Sequence, residues 1–375
     1  MAAVRRSYGF VRYALSVQYH GSSFLGFTYQ GPQGEDCILP DGTDLRGYRS
    51  VEGRLRDALG SLVGDGNFEN IQVSSRTDRG VHALKNTFHV DIRQRSKNTD
   101  EVVGSWDPRR IVSGLNFYLG RQYRNKTENE VDAYLHYHNK TRGQPYTHGF
   151  LGSSPPRRHS PPHEVRVLGA AKAPLTMKNN FYTGKDDDQP ALVDWNARFS
   201  ATRRAYAYRI FHQPSLEDNY GIPFEWDRSW VLRDSNPLDI EAMREAALYL
   251  TGTHDFTSFR GKKCQRESPV VTMKQIVVKS QPKGALGMTD LGEIFQRETS
   301  SESKASLVTI GVVGDSFLYR QVRNMVGCLV SVGRGKLDPT RVRRIVAERD
   351  RTKAPSTAPA HGLFLVDVQH GDFVF

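Results

Sequence analysis

The stretch Ser74–Ala83, of sequence SSRTDRGVHA, separates two strand-like patterns in the first half of the chain. An apolar run at residues 71–73 precedes it, and residues 88–92 follow it with the alternating pattern of a half-buried strand. The stretch itself holds one carboxylate, Asp78, and a glycine, Gly80, that permits a tight backbone. Loops between rigid strands carry many catalytic residues, but Asp and Gly also form ordinary turns. The stretch alone therefore supports two interpretations, a reactive carboxylate or a connecting turn.

Composition and charge narrow the class of protein. The 375 residues, 38% hydrophobic and 25% charged, are typical of a globular protein with two domains rather than one. No run of about eighteen apolar residues occurs, so the sequence predicts no membrane partner. The net charge of +11 favours a polyanionic partner, nucleic acid above all, because basic side chains displace counterions from phosphates. Basic residues cluster at Arg203-Arg204, at Lys262-Lys263 with Arg266, and at Arg341 with Arg343-Arg344.

Cysteine and histidine patterns give no sign of a metal or cofactor. The three cysteines, Cys37, Cys264 and Cys328, lie far apart, which indicates free thiols in a reducing compartment. Residues 120–163 contain five histidines, but no cysteine or well-spaced carboxylate accompanies them, which disfavours a metal site. The chain has no P-loop, dinucleotide fingerprint or His-Glu-x-x-His helix, so we predict no cofactor.

The first dozen residues bear on location. They contain Arg5, Arg6 and Arg12 and no acidic residue. A strand pattern begins almost at once, so a targeting peptide would be unusually short. We expect an intracellular protein of the cytoplasm or the mitochondrion, with the mitochondrion favoured.

Hydrophobic periodicity predicts the order strand, helix, strand, strand, helix, strand in the first half. Its two helices start at Ser50 and Asp107-Pro108, since Ser caps helices and Pro favours the first helical position. A polar insertion at 120–163 interrupts this half. The predicted strands lie near 11–19, 71–73, 88–92 and 165–167, and the predicted helices near 51–62 and 108–119.

The second half repeats that order. Asp239 caps one predicted helix, which stops at Gly252, and a short additional helix starts at Asp338-Pro339. A second polar insertion lies at 281–304. The predicted strands lie near 206–210, 276–278, 307–313 and 363–368, and the predicted helices near 240–250 and 317–333.

Two copies of the βαββαβ order indicate an α+β protein built from two ferredoxin-like halves. We predict an N-terminal domain at 9–175 and a C-terminal domain at 192–375. The halves are expected to join in a mostly antiparallel sheet with helices on one side. A basic active-site cleft is expected between them, because ligands often bind where two units meet.

Three features are candidates for chemistry. Asp78 is a candidate nucleophile, because carboxylates form covalent intermediates. Tyr206 follows Arg203-Arg204 on a predicted strand, which offers a ring for a base beside charges for phosphates. A core or sheet-surface tyrosine fits the same pattern equally well. Arg323 lies near the start of an apolar helix, where it either extends to solvent or pairs with a carboxylate such as Asp78.

Six ordered motifs cover the chain except its two insertions. They are Ser75–Ala83, Tyr19–Gln30, Ala197–Tyr208, Gly252–Phe259, Phe317–Gly327 and His361–Leu365. In sequence and order they resemble the motifs of the tRNA pseudouridine synthase A (TruA) family, and the first of them looks like its active-site loop. Ser74–Asp78 and Ala358–Leu365 look most like the pseudouridylate synthase-like eukaryotic branch.

The resemblance implies a role for five residues. Asp78 would be the catalytic aspartate that attacks the target uridine or its sugar. Tyr206 would stack on the flipped uracil and assist removal of the C5 proton, and Arg323 would pair with Asp78. Arg76 would contact the RNA backbone, and Leu363 would line the base pocket.

The implied reaction needs no cofactor, since isomerising uridine exchanges no electrons or atoms with other molecules. The target base must leave its stack, at a cost of a few kcal/mol, before an aspartate reaches it. His20 and Phe27 depart from the family, which usually has aspartate and tryptophan there, and this puts the fit of the RNA in doubt more than the chemistry.

We therefore expect a tRNA pseudouridine synthase, an isomerase that acts in the anticodon arm at positions 38–40, as a homodimer. One alternative is a synthase for another RNA, such as organellar tRNA or mRNA. The other is a non-catalytic RNA-binding protein of the same fold, which the set Asp78, Tyr206 and Arg323 argues against.

Overall fold

The computed structural model describes residues 9–28, 50–95, 102–121, 164–177, 192–214, 225–262, 264–282, 305–371 and 373. Over these ranges the protein is mixed α/β, with a large, mostly antiparallel sheet and five α-helices. The strands are β1 (Phe10–Tyr19), β2 (Phe68–Val73), β3 (His82–Arg95), β4 (Val102–Gly104), β5 (Val165–Lys172), β6 (Leu175–Met177), β7 (Leu192–Asp194), β8 (Arg203–Gln213), β9 (Trp230–Arg233), β10 (Gly252–Asp255), β11 (Val270–Pro282), β12 (Ser306–Gly314) and β13 (Leu363–Gln369). The helices are α1 (Val51–Val63), α2 (Pro108–Arg121), α3 (Ile240–Leu248), α4 (Gln321–Gly333) and α5 (Pro339–Glu348).

Four of the predicted helix starts are confirmed by their caps. The Ser50 hydroxyl accepts a hydrogen bond from the Gly53 N–H at 3.0 Å, ahead of α1. Aspartate carboxylates cap three further helices through the backbone N–H groups of Arg109, Ala242 and Thr340. Because each cap satisfies an N–H that has no partner within its helix, these signals are local and readable from sequence.

Two predicted helix boundaries are wrong. Helix α4 begins at Gln321, because Arg320 before it has a left-handed backbone with φ 60°, so Phe317 lies outside the helix. Helix α3 ends at Leu248, and Gly252, with φ 108°, begins β10 instead of ending the helix. Both differences come from turns that hydrophobic spacing does not report.

The main sheet has the strand order β10-β11-β12-β8-β13-β3-β1-β5, with β2 and β4 on β3 and β9 on β8. The same order of four strands occurs in each half, as β11-β12-β8-β13 and as β2-β3-β1-β5. Strand β13 joins the halves, because it pairs antiparallel with β8 and parallel with β3. Its register places Leu365 opposite both Ala83 of β3 and Tyr206 of β8.

The pairing of β13 with β3 and β8 determines which elements lie beside the loop at 74–81. The loop connects β2 to β3, and the first two residues of β3, His82 and Ala83, pair with β13. The start of β13 and the Tyr206 end of β8 therefore lie beside the loop that carries Asp78. One hydrophobic core runs through both halves, and Tyr13, Phe88, Tyr208 and Phe259 are among its fully buried members.

Arg12 belongs to the fold of the first half. Its guanidinium donates two hydrogen bonds of 2.7 Å to the Asp91 carboxylate, and both side chains are buried. Burial raises the pKa of Asp91, but the hydrogen bonds from Arg12 and Asn70 outweigh it and hold the pKa below its usual value. The charge of Arg12 thus has a structural partner in the sheet.

Several sequence features lie outside the described residues. These are Cys37, the five histidines of the first insertion, and residues 122–163 and 283–304, which make up most of the two insertions. Cys264 and Cys328 are free thiols. Within the described ranges, no helix is long and apolar enough to span a membrane.

Candidate active site

The loop that carries Asp78 is held by the segment after β1. Phe27 N–H donates to the Thr77 carbonyl at 3.3 Å, and Gly80 N–H donates to the Phe24 carbonyl at 3.2 Å. Gly26, with φ 121°, bridges to Asp78, and a Cβ there would lie 2.6 Å from the Thr77 oxygen. The close approach of two backbones requires glycine at this position. The segment at 24–27, part of the Tyr19–Gln30 motif, thus supports the Asp78 loop.

Buried polar side chains fix the same loop from β1 and β3. The Tyr19 hydroxyl and the Thr77 hydroxyl are 2.8 Å apart. The Asn86 amide donates to the Tyr19 hydroxyl at 3.1 Å and to the Ser75 carbonyl at 2.9 Å. Asn86 is fully buried, so these bonds form in an environment where an unpaired donor is costly. The loop backbone is therefore rigidly placed.

Asp78 meets Arg323 across the junction of the halves. Nη1 of Arg323, on the first turn of α4, lies 3.2 Å from Oδ2 of Asp78. The exposed fractions of the two side chains are 13% for Arg323 and 19% for Asp78. Arg323 also donates through Nε to the Ala358 carbonyl at 2.8 Å, which fixes the guanidinium. The structure brings together the two residues that helix position and charge had suggested as partners.

The environment of Asp78 suits a reactive carboxylate. Burial raises the pKa of Asp78, and the charges of Arg323 and Arg320 oppose that rise without cancelling it. A carboxylate that is partly stripped of water, yet reachable, is a stronger nucleophile than one in bulk solvent. Asp78 is therefore more than a turn residue, although Gly80, with φ 79°, does supply turn geometry.

Tyr206 lies in the same site with its phenol oriented. The side chain is 8% exposed, and its ring packs edge-to-face on Phe317 at 4.9 Å. Its hydroxyl oxygen lies 2.7 Å from the hydroxyl oxygen of Ser75. Burial raises the pKa of Tyr206, so the phenol is protonated at neutral pH; Ser75 and Arg204 lower the pKa and Asp78 adds to the rise. The hydrogen bond to Ser75 holds Tyr206 against the loop that carries Asp78.

Known proteins match the chain over nearly its whole length. The model of the family described as tRNA pseudouridine synthase matches residues 246–370. The tRNA pseudouridine synthase A of Dinoroseobacter shibae is 30% identical over 364 residues, which cover 97% of this chain and 98% of that protein. The chain belongs to the tRNA pseudouridine synthase A family. The protein of the same name from Afipia carboxidovorans is 30% identical over 361 residues, 96% of this chain and 99% of its own. As a member of this family the chain is an enzyme, an isomerase that forms pseudouridine.

In this pseudouridine synthase the other predicted site residues take different positions. Arg76 and Arg203 are exposed, and Arg76 Nη1 lies 3.4 Å from the Gln265 side-chain oxygen. Leu363 is buried at the start of β13, opposite Tyr208 of β8. Arg76 is on the loop that carries Asp78, Arg203 is on β8, and Leu363 is on β13.

Arg204 differs from the phosphate contact that the sequence suggested. Its side chain is 9% exposed, and its guanidinium donates to the carbonyl oxygens of Asp315 at 2.7 Å and Ser74 at 2.9 Å. These bonds tie β8 to the loop after β12 and to the first residue of the Asp78 loop. Arg204 therefore supports the synthase site from inside the protein.

Sequence reasoning missed three residues of the site. Ser75 was read only as part of the loop, and Phe317 was placed in a helix. The third is Arg198, whose pKa is lowered mainly by burial and also by the charge of Arg76. Residues 198 and 76 are distant in sequence, so no local pattern reports this electrostatic effect.

His82 has a structural position in this synthase. Its Nδ1 accepts a hydrogen bond from the Gly21 N–H at 3.0 Å, and its ring stacks on Phe364. Burial and the neighbouring His20 lower the pKa of His82 to about 3, so the ring is neutral. Across the described ranges, no three His, Cys, Asp or Glu side chains come together as a metal site.

Proposed function

We propose that the protein isomerises uridine to pseudouridine in the anticodon arm of tRNA, at positions 38–40, with Asp78 as the catalytic nucleophile. The observation that carries this proposal is the contact between Asp78 and Arg323, which places an ionisable carboxylate beside a fixed cation at the junction of the halves. The two relatives described above are named for the same activity on tRNA.

The chemistry of the proposed reaction fits these groups. The N1 glycosidic bond breaks, the uracil turns, and C5 joins the sugar carbon that N1 left. Asp78 supplies the attacking oxygen, and Arg323 stabilises its charge. The bond that Asp78 formed breaks as C5 bonds to the sugar carbon, so the carboxylate is restored. The C5 proton then leaves and N1 gains a proton, so no net proton is exchanged. We assign the Tyr206 hydroxyl to relay this transfer: its oxygen accepts the C5 proton as the phenol gives up its own proton toward N1 through solvent.

Tyr206→Phe separates stacking from proton removal. The variant keeps the ring that packs on Phe317, so the Kd for tRNA should change less than twofold. Turnover should fall by about 10²-fold, the scale of general acid–base catalysis. Single-turnover rates and filter binding on the same tRNA measure both quantities. Wild-type turnover in the variant would remove Tyr206 from the proton-transfer role.

Basic side chains are proposed to grip the RNA. Arg76 is exposed on the loop that carries Asp78, and Arg203 is exposed on the face of β8 opposite Arg204 and Tyr206. Burial, and to a smaller extent the charge of Arg76, lowers the pKa of Arg198. Cations that repel each other in the free protein favour a bound phosphate, because its charge relieves the repulsion. Leu363 is proposed to line the base pocket, on the strand that faces Tyr208.

Pseudouridine mapping tests the substrate. RNA from cells that lack the protein would be compared after return of wild-type protein or of Asp78→Ala, with RNA binding of both confirmed. We expect pseudouridine at tRNA positions 38–40 with wild-type protein only. Restoration in other RNA instead would move the substrate to the alternative class. No difference between the two proteins anywhere would support the non-catalytic alternative.

We infer that the two halves are ferredoxin-like, with the site in a cleft between them. The equal strand order β11-β12-β8-β13 and β2-β3-β1-β5 supports this, because βαββαβ units have such an order. We propose the predicted domains at 9–175 and 192–375 as the two units of that division. Limited proteolysis with mass spectrometry would check it, since cleavage should concentrate between the two domains.

We propose that the enzyme is a homodimer. Apolar side chains stand exposed on two elements at one edge of the described sheet, Phe117 of α2 at 56% and Leu168 of β5 at 43%. The Asn116 side chain bonds both the N–H and the carbonyl of Val167, which fixes α2 on β5. We propose these two elements as the place where a second copy of the chain packs. Light scattering of purified protein should give twice the chain mass; a monomer mass would contradict the proposal.

The proposed location is intracellular, with the mitochondrion favoured over the cytoplasm. The free thiols of Cys264 and Cys328 support a reducing compartment. Imaging of protein tagged at residue 375 would distinguish the two compartments.

A further inference from the structure

A hydrogen bond between Ser75 and Tyr206 connects the two halves inside the site. Their hydroxyl oxygens lie 2.7 Å apart, and the residues are 131 positions apart in sequence. Ser75 is 7% exposed and Tyr206 is 8% exposed, so bulk water competes little for this bond. Among the described residues, Ser75 is the hydrogen-bond partner of the Tyr206 hydroxyl.

We propose that Ser75 is a positioning residue for the isomerisation, one that holds the phenolic oxygen of Tyr206 at a fixed place relative to Asp78. The proposal rests on the role assigned to Tyr206 above. Ser75 and Asp78 belong to one short loop, and Ser75 is three residues before the carboxylate. A hydrogen bond from Ser75 therefore fixes the position of the Tyr206 hydroxyl relative to the Asp78 carboxylate.

The support for Ser75 is rigid. The Ser75 carbonyl accepts a hydrogen bond from the Asn86 amide at 2.9 Å, and Asn86 lies on β3. The next residue but one, Thr77, is bonded to Tyr19 of β1 at 2.8 Å. The hydroxyl of Ser75 thus projects from a loop that two strands of the N-terminal half anchor.

The ring of Tyr206 is held separately from its oxygen. Phe317 packs edge-to-face on the ring at 4.9 Å, and Leu365 stands opposite Tyr206 in the sheet. These contacts place the ring plane but give the hydroxyl group no partner. Without Ser75 the Tyr206 hydroxyl is buried and unbonded, an unfavourable state that favours displacement of the phenol. Reaction rates are sensitive to such displacements.

Ser75→Ala tests the proposal in the full-length enzyme on tRNA. We expect kcat to fall about 10-fold, KM to stay within about twofold, and Tm to change little, because one neutral hydrogen bond is lost. Ser75→Thr keeps a hydroxyl and should recover most of the rate. Ser113→Ala on the exposed face of α2 is the matched control and should leave kcat unchanged. Ser75→Gly removes the hydroxyl as well, and it is the second variant to measure if Ser75→Ala does not fold.

The decisive measurement is a double-mutant cycle with Tyr206→Phe. If Ser75 acts through the Tyr206 hydroxyl, then Ser75→Ala causes no further loss of kcat once that hydroxyl is absent. An equal 10-fold loss in both backgrounds would overturn the proposal, and so would an unchanged kcat in Ser75→Ala alone. Wild-type turnover of Tyr206→Phe is a different result, because it removes the role of Tyr206 on which the proposal stands.

Discussion

Asp78→Asn should lower turnover by about 10⁴-fold or more while leaving the affinity for tRNA within about twofold. The substitution keeps the shape of the side chain and an oxygen for the Arg323 guanidinium, so the contact between the halves can persist. It removes the nucleophilic carboxylate, and losses of this size follow when a group that bonds to the substrate is removed. Single-turnover conversion of labelled tRNA and binding by the same variant measure the two effects.

The stability of Asp78→Asn provides an independent check. The pKa of Asp78 is raised in the folded protein, so the folded state disfavours the ionised form relative to the unfolded chain. Its ionisation therefore costs stability as pH rises from the unfolded pKa through the folded pKa, and the full cost is present only above the folded pKa. Asn carries no such charge, so the Tm of the variant relative to wild type should increase as pH is raised across that range. Asp234→Asn is the matched control. Asp234 forms an ion pair of 2.6 Å with Arg334 outside the site, so this variant should keep full turnover. A drop in the relative Tm of Asp78→Asn across that range would contradict the burial argument.

Arg323→Met should reduce kcat/KM by about 10²-fold at pH 7 and move its acid limb to higher pH. The charge of Arg323 lowers the pKa of Asp78, whereas burial raises it. Removing the cation leaves burial in place, so the pKa rises and less of the enzyme carries the ionised nucleophile at a given pH. The size of the loss is typical for removal of one fixed charge partner from an active site.

The pH profile identifies the cause of that loss. The ratio of wild-type to variant kcat/KM should shrink as pH rises, because Asp78 then ionises in both enzymes. Arg323→Lys keeps a cation and should have an acid limb close to that of the wild type. Arg334→Met removes an arginine from an aspartate pair outside the site and should leave the profile unchanged. A loss for Arg323→Met that is the same at every pH would show that Arg323 acts by position alone.

Local signals in the sequence predicted much of the fold. The caps at Ser50, Asp107, Asp239 and Asp338 act within a few residues, and apolar spacing found the long strands. The left-handed turn at Arg320 was missed, because nothing in the apolar pattern distinguishes a turn of that kind from the first turn of a helix. Strands of three or four residues, such as β4 and β9, were missed because so short a run shows no period.

The site was predictable by residue type and not by geometry. The side-chain types of Asp78, Tyr206 and Arg323 fit the proposed chemistry, and the family resemblance identified these positions. The bond from Ser75 to Tyr206 and the inward position of Arg204 depend on residues more than a hundred positions away in the chain. Such contacts are set by strand register at β13, which is a property of the assembled sheet.

The position of β13 late in the chain has a consequence for when the site can assemble during synthesis. The Asp78 loop leaves the ribosome first, Tyr206 follows, Arg323 comes later, and β13 is made after all of them. Strand β13 supplies the pairing that brings β3 and β8 side by side. A nascent chain that stops short of residue 363 therefore contains every proposed catalytic side chain but lacks the strand that pairs with both β3 and β8. We therefore expect catalytic competence only once synthesis has passed β13, the strand that pairs with both β3 and β8.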